Sequence, residues 1–174
     1  MNGGSADRMT HDSPLGPLTL EGGPWGLRSV RFDDDAPAPT GGRPARLLAE
    51  VVAQLDEYFA GRRTAFDVRL DLRGGPLEMR VWSELRRIPH GTTVSYGALA
   101  EAVGRPDAVR AVAGAVARTP VPIVIPCHRV IGADGALRGY IGGLERKAAL
   151  LDRERLEGPP AASPPAAAPR LDLL

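Results

Sequence analysis

The sequence predicts an α+β protein: a small N-terminal α/β unit followed by a mainly helical C-terminal one. Up to residue 32 the apolar residues come in short strand-like runs, and helical spacing sets in only at residues 45–59. A glycine- and proline-bearing stretch, residues 72–76, then breaks the pattern. Beyond it, helical spacing dominates as far as residue 156.

Residues 1–12 are polar and glycine-containing and are expected to be disordered. Leu18-Thr19-Leu20 and Leu27 to Phe32 read as strands around a Gly22-Gly23-Pro24 turn, a hairpin. Asp33-Asp34-Asp35 opens a solvated loop. From Ala45 to Phe59 the apolar residues Leu48, Val51, Val52, Leu55 and Phe59 keep helical spacing, and Gly61 ends the run. Phe66, Val68 and Leu70 alternate as a short strand. Residues 13–71 thus form the N-terminal domain and 72–76 the linker, and nothing in this domain suggests an active site.

Residues 77–157 form the second domain. Leu77 to Arg87 is a helix closed by Ile88-Pro89-His90-Gly91. Ser95 can cap a helix running to Val103, Gly104-Arg105-Pro106 breaks it, and Asp107 can cap the next, to about Arg118. Two short helices across such a turn resemble a helix-turn-helix. Val109, Val112 and Val116 share the core face of the second helix. Its opposite face holds Arg110, Ala111, Gly114 and Ala117, with one long side chain instead of several. That face suits either packing against another helix or backbone approach into a narrow groove. The last helix, Gly143 to Leu156, buries Leu144, Ala148 and Leu151, with Glu154 at the margin of the stripe. Residues 158–174 are a tail, nearly all Pro and Ala as far as Pro169 and too poor in large apolar groups to repay folding entropy.

No apolar stretch approaches the roughly 20 residues that span a bilayer, and the start has no basic or apolar signal region, so a cytoplasmic protein is expected. The net charge of +1 argues against nucleic-acid binding driven by bulk charge. Charge is uneven, however: residues 80–157 are net +4 and the remainder net −3, which is compatible with phosphate contacts by one half.

Cys127 is the only cysteine, so no internal disulfide can form. It could give a metal only one thiolate, and His11 and His90 are distant in sequence, so no metal site and no cofactor are expected. A small buried hydrophobe or a nucleophile remains. An apolar run ends at Pro126, and the thiol is followed at once by His128 and Arg129, neighbours that favour the reactive thiolate.

Pro126-Cys127-His128-Arg129-Val130 resembles the active-site signature of the O6-alkylguanine-DNA alkyltransferases, the methylated-DNA–protein-cysteine methyltransferases. The resemblance spans residues 13–157 and includes Val81-Trp82, Ile88-Pro89, Thr93 to Gly97, Val109 to Val112, Gly139-Tyr140 and Gly142-Gly143-Leu144 in the family's order. It implies a ribonuclease-H-like N-terminal fold without its chemistry. It also implies a suicide reaction in which an alkyl group moves from guanine O6, or thymine O4, to the Cys127 sulfur. The target lies inside duplex DNA, so the nucleotide must be rotated out. The Gly/Ala helix would enter the minor groove with Ser95, Ala111, Gly114 and Arg129 among the DNA contacts. Arg110 would fill the gap, and Tyr96 would press on the phosphate and give the departing base a proton.

By the same resemblance a water, His128 and Glu154 relay the thiol's proton. Neighbours in an extended segment point to opposite sides, so direct contact between Cys127 and His128 is not expected. Tyr140 and the glycines at 139, 142 and 143 would wall the pocket, while backbone groups of Cys127, Val130 and Ile141 read the guanine edge. The expected partner is duplex DNA, bound by a monomer able to cluster along it.

One position departs from the family. Its usual asparagine before Pro120 braces the cysteine turn, and here Thr119 offers a shorter reach and fewer bonding groups. Two rival readings are a non-catalytic lesion binder, in which another residue replaces the cysteine, and an unrelated cysteine hydrolase, in which the Gly/Ala helix has no purpose.

Overall fold

The structure is a computed structural model, which describes residues 7–35 and 46–156. The disorder expected for residues 1–6 and the Pro/Ala-rich tail fall outside the described residues.

The N-terminal unit is an antiparallel sheet in the order β1 (Arg8–Ser13), β2 (Gly16–Gly23), β3 (Gly26–Phe32), with α1 (Arg46–Phe59) packed on it. Residues 8–12, expected to be disordered, are therefore an edge strand: Met9 faces Leu20 and Thr10 faces Thr19. An edge strand has only one neighbour, so a largely polar sequence suffices there. Leu18, Leu20, Leu27 and Val30 from the sheet meet Leu48, Val51, Leu55, Tyr58 and Phe59 from α1, all buried. Each such aliphatic side chain contributes about 1.5–3 kcal/mol on burial. The strand expected over Phe66–Leu70 is reduced to one bridge, Leu27 to Leu70. It touches β3 only where Gly26 lets the Arg69 backbone approach, since a Cβ at Gly26 would collide with it.

The C-terminal unit comprises α2 (Pro76–Leu85), β4 (Val94–Ser95), α3 (Tyr96–Ala102), α4 (Val109–Ala117), β5 (Val130–Ile131) and α5 (Leu144–Leu156). Glu78 caps α2 by accepting from the Gly75 amide at 2.7 Å. The Ser95 hydroxyl caps α3, accepting from the Ala98 amide at 3.1 Å. Asp107 does not cap α4 as expected. It sits inside a 3-10 turn, Pro106–Ala108, that runs directly into the helix. Trp82 is buried between α2 and α4 and donates its indole N–H to the Ala115 carbonyl at 2.9 Å. Trp25, at the β2–β3 turn, stands in solvent.

On α5 the buried residues are Lys147, Leu150, Leu151 and Glu154, whereas Leu144 is exposed and Ala148 only half-buried. The inward stripe is thus rotated from the one expected, and it contains two charges. An apolar-periodicity reading passes over them because it assigns charged residues to the outer face.

Candidate active site

The chain approaches Cys127 through a buried run, Val121 to Pro126, with an unusual backbone. Ile123 has φ 74, a left-handed conformation that costs a β-branched residue about 1–3 kcal/mol. Tight burial of its side chain and the Ile125 amide bond to the Val121 carbonyl (2.9 Å) hold it there. Residues 127–129 then form a 3-10 turn and not the extended segment expected. Successive side chains there diverge by about a third of a turn instead of facing opposite ways. Val130 leaves the turn to pair in parallel with Val94, which lashes the Cys127 loop to the start of α3.

Thr119 is fully buried and donates its hydroxyl to the Val116 carbonyl at 2.7 Å, closing the end of α4. The position expected to be an unfinished brace is filled. The next residue, Pro120, accepts at its carbonyl from the Val30 amide of β3 at 2.9 Å, so the N-terminal sheet edge also holds this turn.

Glu154 is the hub of the site, buried to 1% exposure. Its Oε1 accepts from His128 Nε2, Arg129 Nη2 and the Tyr58 hydroxyl, each at 2.8 Å. Its Oε2 accepts from Arg129 Nε at 2.9 Å and from the Gly91 amide at 3.3 Å. Arg129 also donates Nη1 to the Ile88 carbonyl at 2.6 Å. A buried carboxylate survives only with such a complement of donors. Arg129, expected among the DNA contacts, is instead buried: its planar fork is spent inside on one carboxylate and one carbonyl.

Burial pushes the Glu154 carboxyl up, but His128 and Arg129 outweigh it and hold the group well below the usual carboxylate range. The carboxylate therefore accepts from His128 Nε2, which fixes the imidazole tautomer with its proton on Nε2. Burial keeps the imidazole from charging, partly offset by the bond to Glu154. Its Nδ1 makes no hydrogen bond within the described chain and keeps a lone pair. The Cys127 thiol, 2% exposed, is pushed up to about 12 by burial, against the Thr119 hydroxyl and the Lys147 charge. At rest the site holds a neutral thiol beside a neutral imidazole, and not the preformed thiolate that the flanking His128 and Arg129 suggest.

A cavity of about 570 Å³ opens beside this centre, lined by residues including Tyr96, Arg110, Arg138, Tyr140 and Ile141. Burial raises the phenols of Tyr96 and Tyr140, and proximity to Cys127 raises both further. The structure thus brings Tyr96, Tyr140, Ile141 and Arg110 together around one cavity, whose two tyrosines feel the Cys127 thiol. Val130 and Gly142 are not among the residues lining that cavity. The Val130 carbonyl accepts from Lys147 at 2.6 Å. A Cβ at Gly142 would collide with the rings of Phe32 of β3 and of Tyr140.

Arg110, Ala111 and Ala117 are exposed on α4, with Gly114 half-buried, so among the described residues no helix packs on this face. A Cβ at Gly114 would meet only the flexible end of Arg118. Val109, expected in the core, is 37% exposed and lines the cavity, because the 3-10 turn sets the start of α4 outward.

Two residues of the site were not anticipated. Lys147 is the chain's one lysine among 22 basic residues and is fully buried. Its ammonium donates to the carbonyls of Val130 and Arg138 at 2.6 Å each and of Gly139 at 3.4 Å. The signal was present: a lone lysine in an arginine-rich chain, two helical turns before Glu154. Tyr58 gave none, since a tyrosine on an amphipathic stripe reads as core.

Residues 76–156 match the family described as 6-O-methylguanine DNA methyltransferase, DNA binding domain, and residues 8–72 its ribonuclease-like domain. A Mycolicibacterium paratuberculosis protein named methylated-DNA–protein-cysteine methyltransferase is 50% identical over 153 residues, covering 86% of this chain and 93% of its own. The Bacillus subtilis constitutive protein of that name is 52% identical over 110 residues, covering 63% of this chain and 67% of its own. Among solved structures, Mycobacterium tuberculosis O6-methylguanine methyltransferase superposes with a TM-score of 0.79 at 46% identity, covering 90% of this chain and 96% of that one. Mycobacterium tuberculosis OGT in complex with DNA gives 0.77 at 47%, covering 87% and 94%. With both domains matched in order and these identities over most of its length, the chain belongs to the 6-O-methylguanine DNA methyltransferase family.

Proposed function

We propose that this protein repairs DNA by direct reversal, moving the alkyl group of O6-alkylguanine in duplex DNA onto Cys127, once per molecule. The observation that carries it is a buried thiol within electrostatic reach of the two tyrosines that line a cavity, with an imidazole whose tautomer Glu154 fixes. The DNA complex of a relative 47% identical supports DNA as the partner. The exposed face of α4, with Ala111 and Gly114 flanking Arg110, suits the minor groove, where close backbone approach matters more than base-edge readout. Ser95, whose hydroxyl caps α3, is the further DNA contact of this reading.

Arg110 replaces the extruded nucleotide, which enters the cavity between Tyr96 and Tyr140. The thiol proton passes to His128 Nδ1 through a water, and Glu154 stabilises the imidazolium that results. Sulfur attacks the alkyl carbon in line as the carbon–O6 bond breaks. Guanine leaves as an anion and takes a proton from the Tyr96 hydroxyl, which its raised pKa keeps protonated until then. The thioether is a poor leaving group, so the thiol is not regenerated and the reaction stops after one event.

Mass spectrometry after incubation with duplex containing O6-methylguanine tests this. The expected result is a gain of about 14 Da, one methylene by mass arithmetic, on Cys127 alone, with none in Cys127→Ala. Repeated turnover, or modification elsewhere, refutes it. Arg110→Ala should slow reaction with duplex far more than with free O6-benzylguanine, since only duplex needs its gap filled.

A further inference from the structure

We infer that Tyr58 of the N-terminal unit is a positioning residue of the transfer centre, acting through Glu154 on the orientation and protonation of His128. The inference rests on the reading of His128 as the base for Cys127.

Glu154 receives donors from several parts of the chain. Arg129 and His128 come from the nucleophile's own turn and the Gly91 amide from the turn after α2. Tyr58, 96 residues away on α1, is the donor from the other unit. Its ring is fully buried and lies 5.4 Å from the centroids of Phe59 and Phe66, with His90 edge-on at 6.2 Å. Phenylalanine would fill that space equally well. The hydroxyl is thus the part of the residue that packing does not explain, and it ends on the same oxygen that holds His128.

That oxygen is oversubscribed. Oε1 has about two in-plane lone pairs and accepts three donors at 2.8 Å. Each donor therefore weakens the pull of the carboxylate on the others. With Tyr58 bonded, Glu154 orients the imidazole without drawing a second proton onto the ring. Without it, the carboxylate stabilises imidazolium more strongly, and a charged ring cannot take the thiol's proton. The other groups facing His128 are Arg129 and Lys147, which oppose its protonation, and the edge-on ring of Tyr140 at 6.5 Å. Cys127 is its sequence neighbour. None of these shares Tyr58's position on Oε1 except Arg129.

The test compares wild type, Tyr58→Phe and Phe66→Leu, following benzyl transfer from free O6-benzylguanine to Cys127 by mass spectrometry across pH. Phe66→Leu loosens the same ring cluster without removing a donor to Glu154. Tyr58→Phe should slow transfer about three- to tenfold, the rate equivalent of one net hydrogen bond. It should also move the acid limb of the rate profile to higher pH, with DNA affinity unchanged. Phe66→Leu should lower the melting temperature and leave the limb in place. In a Glu154→Gln background, Tyr58→Phe should add nothing further. An unmoved limb in Tyr58→Phe, an equal shift in Phe66→Leu, or full additivity with Glu154→Gln overturns the inference. Failure of wild type to transfer at all would instead overturn the proposed function.

Discussion

In the N-terminal unit the buried polar and charged side chains are Thr19 and Asp71, whereas the C-terminal unit encloses His90, Thr119, His128, Arg129, Lys147 and Glu154. Asp71 is met by a partly exposed Arg28 at 2.6 Å, an ordinary edge-of-core pair. The C-terminal set is different in kind, because its members bond mostly to one another and to the loops that hold Cys127. Burial of charge costs stability unless every group is paired. A unit that accumulates it has been shaped by something other than stability, and the N-terminal unit shows what the same chain looks like without that demand.

The largest break in this contrast should come from Glu154→Ala. It leaves Arg129 and His128 buried without their acceptor, and the expected loss is about 3–5 kcal/mol of unfolding free energy. Denaturant unfolding measures it. Asp71→Ala in the other unit should cost much less, since Arg28 can turn to water. Equal losses would mean that the C-terminal network is no more than a scaffold.

Lys147→Arg comes next. A compact ammonium bonds three carbonyls here, and a longer planar guanidinium cannot take that shape. Overpacking should cost about 1–3 kcal/mol, visible in the melting temperature. In a chain whose other basic residues are all arginine, an unchanged melting temperature would deny the site its need for a lysine.

The pH dependence sharpens the comparison at the thiol. Cys127 is held to about 12 by burial, so across neutral pH the thiolate is the minor form. Its alkylation by iodoacetamide should therefore rise about tenfold per pH unit, with no plateau below about pH 9. A plateau near neutrality would show a preformed thiolate and remove the need for His128 as base.

The smallest effect belongs to Thr119→Val, which keeps the shape and removes the hydroxyl. About 0.5–1.5 kcal/mol of stability should go with the bond to Val116, along with a modest slowing of Cys127. Thr119→Asn should bring no gain, because the position is already closed. Faster transfer by Thr119→Asn would restore the idea of an unfinished brace.

Much of this was readable before any coordinates. The hairpin, α1 and the cap at Ser95 follow from local patterns, and the Cys127 motif with its companions identifies the family and, through it, points to Glu154. The failures share a cause. Residues 8–12 form a strand because β2 offers an edge, and local composition does not record a partner. The stripe of α5 was set by Leu144 and Ala148, while packing chose Lys147 and Glu154. Arg129 is put among the DNA contacts by the family resemblance alone, and only the fold shows Glu154 bonded to it. Tyr58 joins the site from another unit, and no spacing rule connects residues that far apart.

The two tryptophans divide the molecule spectroscopically. Trp25, 75% exposed, should emit at long wavelength and be quenched readily by iodide or acrylamide. Trp82, 2% exposed and bonded to the Ala115 carbonyl of α4, should emit at shorter wavelength and resist both quenchers. The helix that carries Arg110 is therefore wired to a shielded fluorophore. Any event that shifts α4, DNA engagement or alkylation of Cys127 alike, can be followed in unlabelled protein as a change in the quencher-resistant emission alone.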